Sequence, residues 1–247
     1  MTIHTNAFPI VSFATHCSSM RLSDCDDWAQ RHHGLITLHA SGLDAGSWRR
    51  ALDAGTLIEV HRHVARLPGS SATPMQAIHA AVLAGGPVAA ASHRSAAMLW
   101  GLLDFDLRAG IHVTVSNRSR NPRLAGVYVH RPTDQRRLEP DRRHGISCTS
   151  VVRTLCDLGA DEPALVQPAL DAAVAARLVK SRELLDAVAQ HGQRGRGGIP
   201  ALRSALTARA EAEVERSPHV ATPFDRRERP DRQTLKRNSI TSPSWAM

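Results

Sequence analysis

Three glycines, Gly34, Gly42 and Gly55, each close a short segment that opens on a helix-capping residue, respectively Ser23, Thr37 and Asp44. Side-chain oxygens at such positions accept the orphan amide hydrogens of a first helical turn, and a residue past the last turn ends the helix most cheaply when it is glycine. Residues 23–55 are therefore expected to hold only short helices: one from Ser23 to His33, a brief one after Thr37, and one over Ala45–Ala54. Asp24, Asp26 and Asp27 suit the positive end of the first helix dipole. In the third helix Trp48, Ala51 and Leu52 share the apolar side, while Ser47, Arg49, Arg50 and Asp53 fall on other faces.

Past Gly55 the period changes. Leu57, Glu59, His61 and His63 alternate with Ile58, Val60, Arg62 and Val64, which reads as two short strands joined by a tight turn near His61–His63. Three short helices followed by a hairpin is the order of a winged helix-turn-helix, assigned here to residues 23–68. Residues 1–22 carry no clear period and read as an extension, with Met20 an alternative start.

After a turn segment, Pro68–Pro74, the pattern becomes mixed. MQAIHAAVLAGG reads as a helix, and Ser92 is placed to cap another from His93 to Leu102, with Ala96, Leu99 and Leu103 at core spacing. IHVTVS and GVYVHR read as strands, joined by an arginine-rich loop or hairpin tip, NRSRNPRLA. GISCT reads as a further strand, with Thr149 or Ser150 capping a helix through Leu158. Helices follow over Pro163–Leu178, Ser181–His191 and Ile199–Ala212, the last two separated by GQRGRGG. The whole is expected to be α+β: the N-terminal module, a mixed α/β middle domain with a helical C-terminal part over 74–212, and a polar, Pro-rich tail over 213–247 without period, expected to be disordered.

Composition narrows the partners. The 247-residue chain carries a net charge of +8, and aromatics make up only 4 %, so its core must be built from Ala, Leu and Val. A basic balance favours a polyanion, with nucleic acid ahead of membrane. Much of the excess lies between Arg108 and Arg143, where nine arginines face Asp134, Glu139 and Asp141. Cys17, Cys25, Cys148 and Cys156 form no CxxC pair and read as reduced thiols. No apolar run reaches the roughly 20 residues of a membrane span, and no signal-peptide pattern opens the chain; a cytoplasmic location is expected.

Sites of chemistry are scarce by local spacing. Ser92, His93 and Arg94 crowd together, but neighbours on a helix point in different directions and cannot form a relay; a capped helix start with an exposed Arg94 is the expectation. Fourteen histidines occur, yet no HxxxH or HExxH pairing does. Phosphate-loop and dinucleotide fingerprints are absent as well. No catalytic residue, metal or cofactor is expected, and the chain does not read as an enzyme. The features left are cations on the N-terminal module. Ser47, Arg49 and Arg50 on the third helix are candidates for contact with bases or backbone, and His61, Arg62 and Arg66 on the hairpin for contact with phosphates of double-stranded DNA.

These blocks resemble a known family. HGLITLHASGLDAGSWRRALDAGTLIEVHRHVARLPG is similar to the winged-helix N-terminus of AbiEi-type antitoxins of type IV toxin–antitoxin systems, in their actinobacterial branch, and ASHRSAAMLWGL, IHVTVSNRSRNPRLAGVYVHRP, GISCTSVVRTLCDLGA and RGRGGIPALRSAL resemble later blocks in the family's order, from Trp28 to Leu206. The resemblance implies an operator-binding N-terminal domain that represses its own operon, and a following domain that serves against a cognate nucleotidyltransferase-like toxin. Many such relatives continue into a Vsr-like endonuclease domain of the PD-(D/E)xK type. Past Leu206 this chain carries no matching strand with Asp and ExK, so it reads alternatively as a truncated or frame-shifted remnant of such a fusion, or as a toxin-binding module without specific DNA binding. The stretch Gly34–Leu43 is also shorter than in those relatives.

Overall fold

The computed structural model describes residues 22–115, 124–132, 140–191 and 198–216. Residues 1–21, the arginine-rich link after Val115, most of GQRGRGG and residues 217–247 lie outside the described residues; Leu22, expected in the extension, opens the first helix, and residues 213–216, expected in the disordered tail, are helical. The described part is mixed α and β.

The first helix, α1 (Leu22–Arg31), starts one residue before Ser23, so Ser23 sits inside the first turn rather than in front of it. A three-residue strand, β1 (Leu35–Thr37), follows. Thr37 then caps α2 (Leu38–Ser41), its Oγ1 accepting the Ala40 amide at 3.0 Å, and Gly42 ends that helix at φ 65°. Asp44 caps α3 (Ala45–Asp53), accepting the Ser47 amide at 2.9 Å. The hairpin is β2 (Ile58–His61) and β3 (Val64–Arg66), turning through Arg62 and His63. With β1 it makes a three-stranded sheet in the order β1-β3-β2, all pairs antiparallel. A register irregularity between Glu59 and His61 interrupts the simple alternation expected for the hairpin, and Val60 turns outward.

Ile36, Trp48, Leu57 and Ala65 form the buried centre of this part, with Trp28, Leu38 and Leu52 packed against it. The opposite face of β1 and β3 sends Leu35 and Val64 onto Ala80 of α4 (Pro74–Gly85), with Leu83 and Ala84 beside them. Full burial of such side chains contributes about 1.5–3 kcal/mol each. The seam is also polar. Buried Gln76 donates to the His33 carbonyl at 2.7 Å and to Ser70 Oγ at 3.2 Å, and the Nδ1 atoms of His33 and His79 share a hydrogen bond at 2.8 Å.

His79 gives this seam a pH dependence. It is 3 % exposed, and burial, with His33, His32 and Arg142 nearby, pushes its pKa down to about 3. A base with a depressed folded-state pKa contributes its stability above the unfolded value of about 6.5 and loses it as pH falls below that. At pH 5 the loss is about 2 kcal/mol. Denaturant titrations of the wild type and His79→Gln at pH 7 and pH 5 are expected to shift in relative stability by about that amount in favour of the variant at pH 5. An unchanged difference would show that His79 is protonated equally in both states.

Beyond α4 runs a mixed five-stranded sheet in the order β6-β5-β4-β8-β7, formed by β4 (Ala90–Ala91), β5 (Ile111–Thr114), β6 (Val127–His130), β7 (Asp141–Arg143) and β8 (Ile146–Cys148). β5 and β6 run parallel, Ile111 opposite Val127 through Thr114 opposite His130, so their connection crosses over and is not a hairpin tip. Ile111, Val113, Val127 and Val129 pack on one side with Ile78 and Val82 of α4. His112, Thr114, Tyr128 and His130 alternate with them and share the other side.

α5 (His93–Leu99) and α6 (Val151–Asp161) pack together, and α6 joins α7 (Val166–Ala175), α8 (Ser181–His191) and α9 (Gly198–Arg216) in a second core around Leu155, Leu158, Leu170, Leu184 and Leu202. Ser150 caps α6, and α8 has the expected bounds. Pro163–Leu165 forms a short 3-10 turn ahead of α7, so the helix expected from Pro163 begins only at Val166. Cys148 and Cys156 are free, and burial pushes both thiols up to about 12, far from the thiolate form. Among the described residues no helix is long and apolar enough to cross a membrane.

Candidate functional site

On the N-terminal part, α3 and the hairpin enclose an open cleft lined by Trp48, Arg49, Asp53, Glu59, Arg62 and His63, among others. Arg49 comes from the helix and Arg62 from the hairpin turn, so the fold brings these two cations to one groove. Asp53 and Glu59 share it, which leaves the groove mixed in charge. Arg50 is exposed on the helix, with Nη2 donating to Ser47 Oγ at 2.8 Å. Ser47 is itself engaged by the cap: its hydroxyl donates to Asp44 Oδ2 at 2.7 Å. Arg66 donates from Nη1 to the Ser70 carbonyl at 3.1 Å and straps the hairpin to the following loop. His61 is half-buried, and burial lowers its pKa, so the ring is neutral at physiological pH. Of the six candidates, Arg49, Arg50 and Arg62 thus present exposed charge, whereas Ser47 and Arg66 already have internal partners. Trp48 is 4 % exposed: it forms part of the cleft floor, and nearly all of its side chain belongs to the core.

The fold also assembles a constellation that local spacing did not reveal. His112 and His130 stand on the same side of the β5–β6 pair. His93, the first residue of α5, stacks on His130 with ring centroids 3.7 Å apart. Asp161, the last residue of α6, closes the group. One ligand atom from each of these four residues lies within 4.8 Å of all the others. His112 Nδ1 and His130 Nε2 are 3.0 Å apart. Asp161 Oδ2 stands 3.6 Å from His93 Nε2, 3.8 Å from His130 Nε2 and 4.0 Å from His112 Nδ1. The carboxylate therefore faces three imidazole nitrogens and is within hydrogen-bonding distance of none of them.

Burial is the largest influence on all three rings. It lowers the pKa of His112 and His130 against the attraction of Asp161, and lowers that of His93 to about 2. All three are neutral at physiological pH, the form that ligates metals. Their far sides are held. Ser92 makes no cap bond to α5; its Oγ lies 3.0 Å from His93 Nδ1 instead. The Ala109 carbonyl hydrogen-bonds the His112 ring. His93 takes a left-handed backbone, φ 49°, a conformation that costs a residue with a Cβ about 1–2 kcal/mol. Side-chain exposure rises from 8 % at His93 and His112 to 39 % at Asp161, so the group opens to solvent on the carboxylate side.

One expectation is refined by this geometry and another corrected. Ser92 holds the N-cap position ahead of α5, as expected, and its carbonyl accepts the Ala96 amide at 3.1 Å, but its hydroxyl makes no capping bond. Arg94 is not exposed: it is 18 % accessible, donates to Glu162 at 2.7 Å and lies 3.7 Å from Asp106. The expectation of no metal set follows from the absence of HxxxH-type pairs, which are a feature of one helix. The four residues come from four elements, and the one local signal was the alternation that puts a histidine on each of two strands, IHVTV and VYVH.

No protein-family model matches the chain, and no curated protein matches it.

Proposed function

We propose that the chain is a cytoplasmic DNA-binding regulator of the AbiEi antitoxin type, in which residues 22–67 act as a winged helix that binds operator DNA and represses its own operon. The observation that carries this reading is the pairing of Arg49 on α3 with Arg62 on the hairpin turn across one open groove, next to exposed Arg50. The order of helices and hairpin, the β1-β3-β2 sheet and the net charge of +8 support it. In such a module the helix enters the major groove and the hairpin reaches the flanking backbone. Arg49 and Arg50 contact base edges or phosphates, Arg62 anchors phosphate, and Ser47 and Arg66 hold the helix start and the hairpin in place.

Gel shifts of the full chain against the DNA upstream of its own gene test the reading. Specific binding is expected, with affinity falling steeply as salt rises. If both arginines contact phosphate, Arg49→Ala/Arg62→Ala is expected to lower the slope of log K against log salt by about 2, while leaving the fold intact. Equal affinity for scrambled DNA would sink the operator-binding reading. An unchanged salt slope in the double variant would move the interface elsewhere.

A further inference from the structure

We propose that His93, His112, His130 and Asp161 form a binding site for one divalent transition-metal ion of the zinc class, tying the β5–β6 edge to the start of α5 and the end of α6. The site is independent of the DNA-binding reading.

Two neutral imidazoles whose ring nitrogens are 3.0 Å apart can share at most one proton, and Asp161 Oδ2, at 3.6 to 4.0 Å, accepts a hydrogen bond from none of the three rings. Three imidazole nitrogens and one carboxylate oxygen, offered by two buried rings, one half-buried ring and an exposed Asp161, thus converge on one point with a single hydrogen bond among them, between His112 and His130. A tetrahedral ion with bonds of about 2.0–2.1 Å keeps its ligand atoms about 3.3–3.4 Å apart. His112 and His130 are already slightly inside that spacing, Asp161 at 3.6 to 4.0 Å must move inward, which its solvent-exposed side chain can do, and the group as a whole, spread over up to 4.8 Å, must contract on the ion.

The ligand chemistry selects the ion. Three imidazoles and one carboxylate suit zinc and its neighbours in the first transition row, and not calcium or magnesium, which take oxygen ligands. The partners of the rings are also those of a metal site: hydroxyl and carbonyl groups behind ligating histidines set the ring orientation and tautomer. Ser92 serves His93 in this way and the Ala109 carbonyl serves His112. The strained backbone at His93 puts its Nε2 into the cluster rather than continuing a regular helical start. Entry is from the Asp161 side, the most exposed of the four.

The test is a titration of the full-length, chelator-stripped chain with ZnCl2 against a chromophoric competitor, and with CoCl2 followed by visible absorption. One ion per chain is expected, with the intense d–d bands of a tetrahedral cobalt site. His130→Gln is expected to weaken binding by more than about 100-fold, beyond what loss of an outer partner costs. Asp161→Asn, at an exposed position where folding is not at stake, is expected to weaken it and to alter the cobalt spectrum. His33→Gln, in the other histidine pair, is expected to leave binding unchanged. Absence of stoichiometric binding in the wild type overturns the proposal. So does binding that survives both His130→Gln and Asp161→Asn, or binding that is lost in His33→Gln instead.

Discussion

An Arg153→Ala variant is expected to unfold about 3–5 kcal/mol more easily than the wild type, the cost of leaving one buried charge without its partner. Arg153 Nε donates to Asp157 Oδ1 at 2.6 Å, four residues on along α6, and the two side chains are only 11 % and 10 % exposed. The pair is short yet poorly satisfied. Arg153 Nη1 and Asp157 Oδ2 have no hydrogen-bond partner, and burial outweighs the attraction of Arg153 and raises the Asp157 pKa to about 6. An acid with a raised folded-state pKa favours the native state at low pH and loses that contribution as pH rises through about 4 to 6. The destabilisation of Arg153→Ala is therefore expected to be largest above pH 6, where the abandoned carboxylate would otherwise ionise, and smaller at pH 4.5. Replacing both residues by leucine is expected to be neutral or stabilising, because it removes the desolvation cost along with the attraction. Urea melts at pH 7 and pH 4.5 check both variants against the wild type. An Arg153→Ala chain as stable as the wild type at pH 7 would mean that water reaches the pair.

The second large effect is expected at Trp48. Truncating this residue to alanine removes the largest side chain from a small centre shared with Ile36, Leu57 and Ala65, and a buried Trp→Ala change costs about 3–5 kcal/mol. So small a core cannot absorb that loss, so Trp48→Ala is expected to unfold the N-terminal part and abolish DNA binding. Trp48→Phe separates packing from contact. The indole Nε1 has no hydrogen-bond partner, so the phenyl ring forfeits volume but no polar interaction. DNA affinity is then expected to stay within about 3-fold of wild type, a change of under 1 kcal/mol. A loss of affinity in Trp48→Phe with an unchanged melting curve would put the indole at the DNA and contradict its burial.

The roles of the arginines divide along similar lines. Arg94 and Arg153 are held at acidic partners on or beside α6, and Arg66 at a carbonyl, so these cations serve the fold. On the N-terminal part Arg49, Arg50 and Arg62 are exposed and available to a polyanion, and Arg108, Arg142 and Arg143 are exposed as well. The arginine-rich stretch between β5 and β7 lies largely outside the described residues.

What the sequence determines by itself is local. Thr37, Asp44 and Ser150 were legible as caps because a cap is an interaction over two or three residues, and the Trp48 face of α3 because helical period is carried by neighbours one turn apart. The bounds of α8 followed for the same reason. Tertiary structure decided the rest. β1 and β7, three residues each, are too short to show a period, and they are strands only because a partner lies beside them. The parallel pairing of β5 with β6 sets their register, and register is what puts His112 and His130 on one side. Ser92 was legible as the N-cap of α5, but that its hydroxyl turns to His93 Nδ1 instead of the helix amides was not. The four-residue cluster draws on segments up to 68 positions apart, from His93 to Asp161, and no spacing rule written for one helix or one loop reaches that far. Side chains that meet through chain reversal and sheet register leave no periodic trace, which is why the capped helices could be read directly and the histidine site could not.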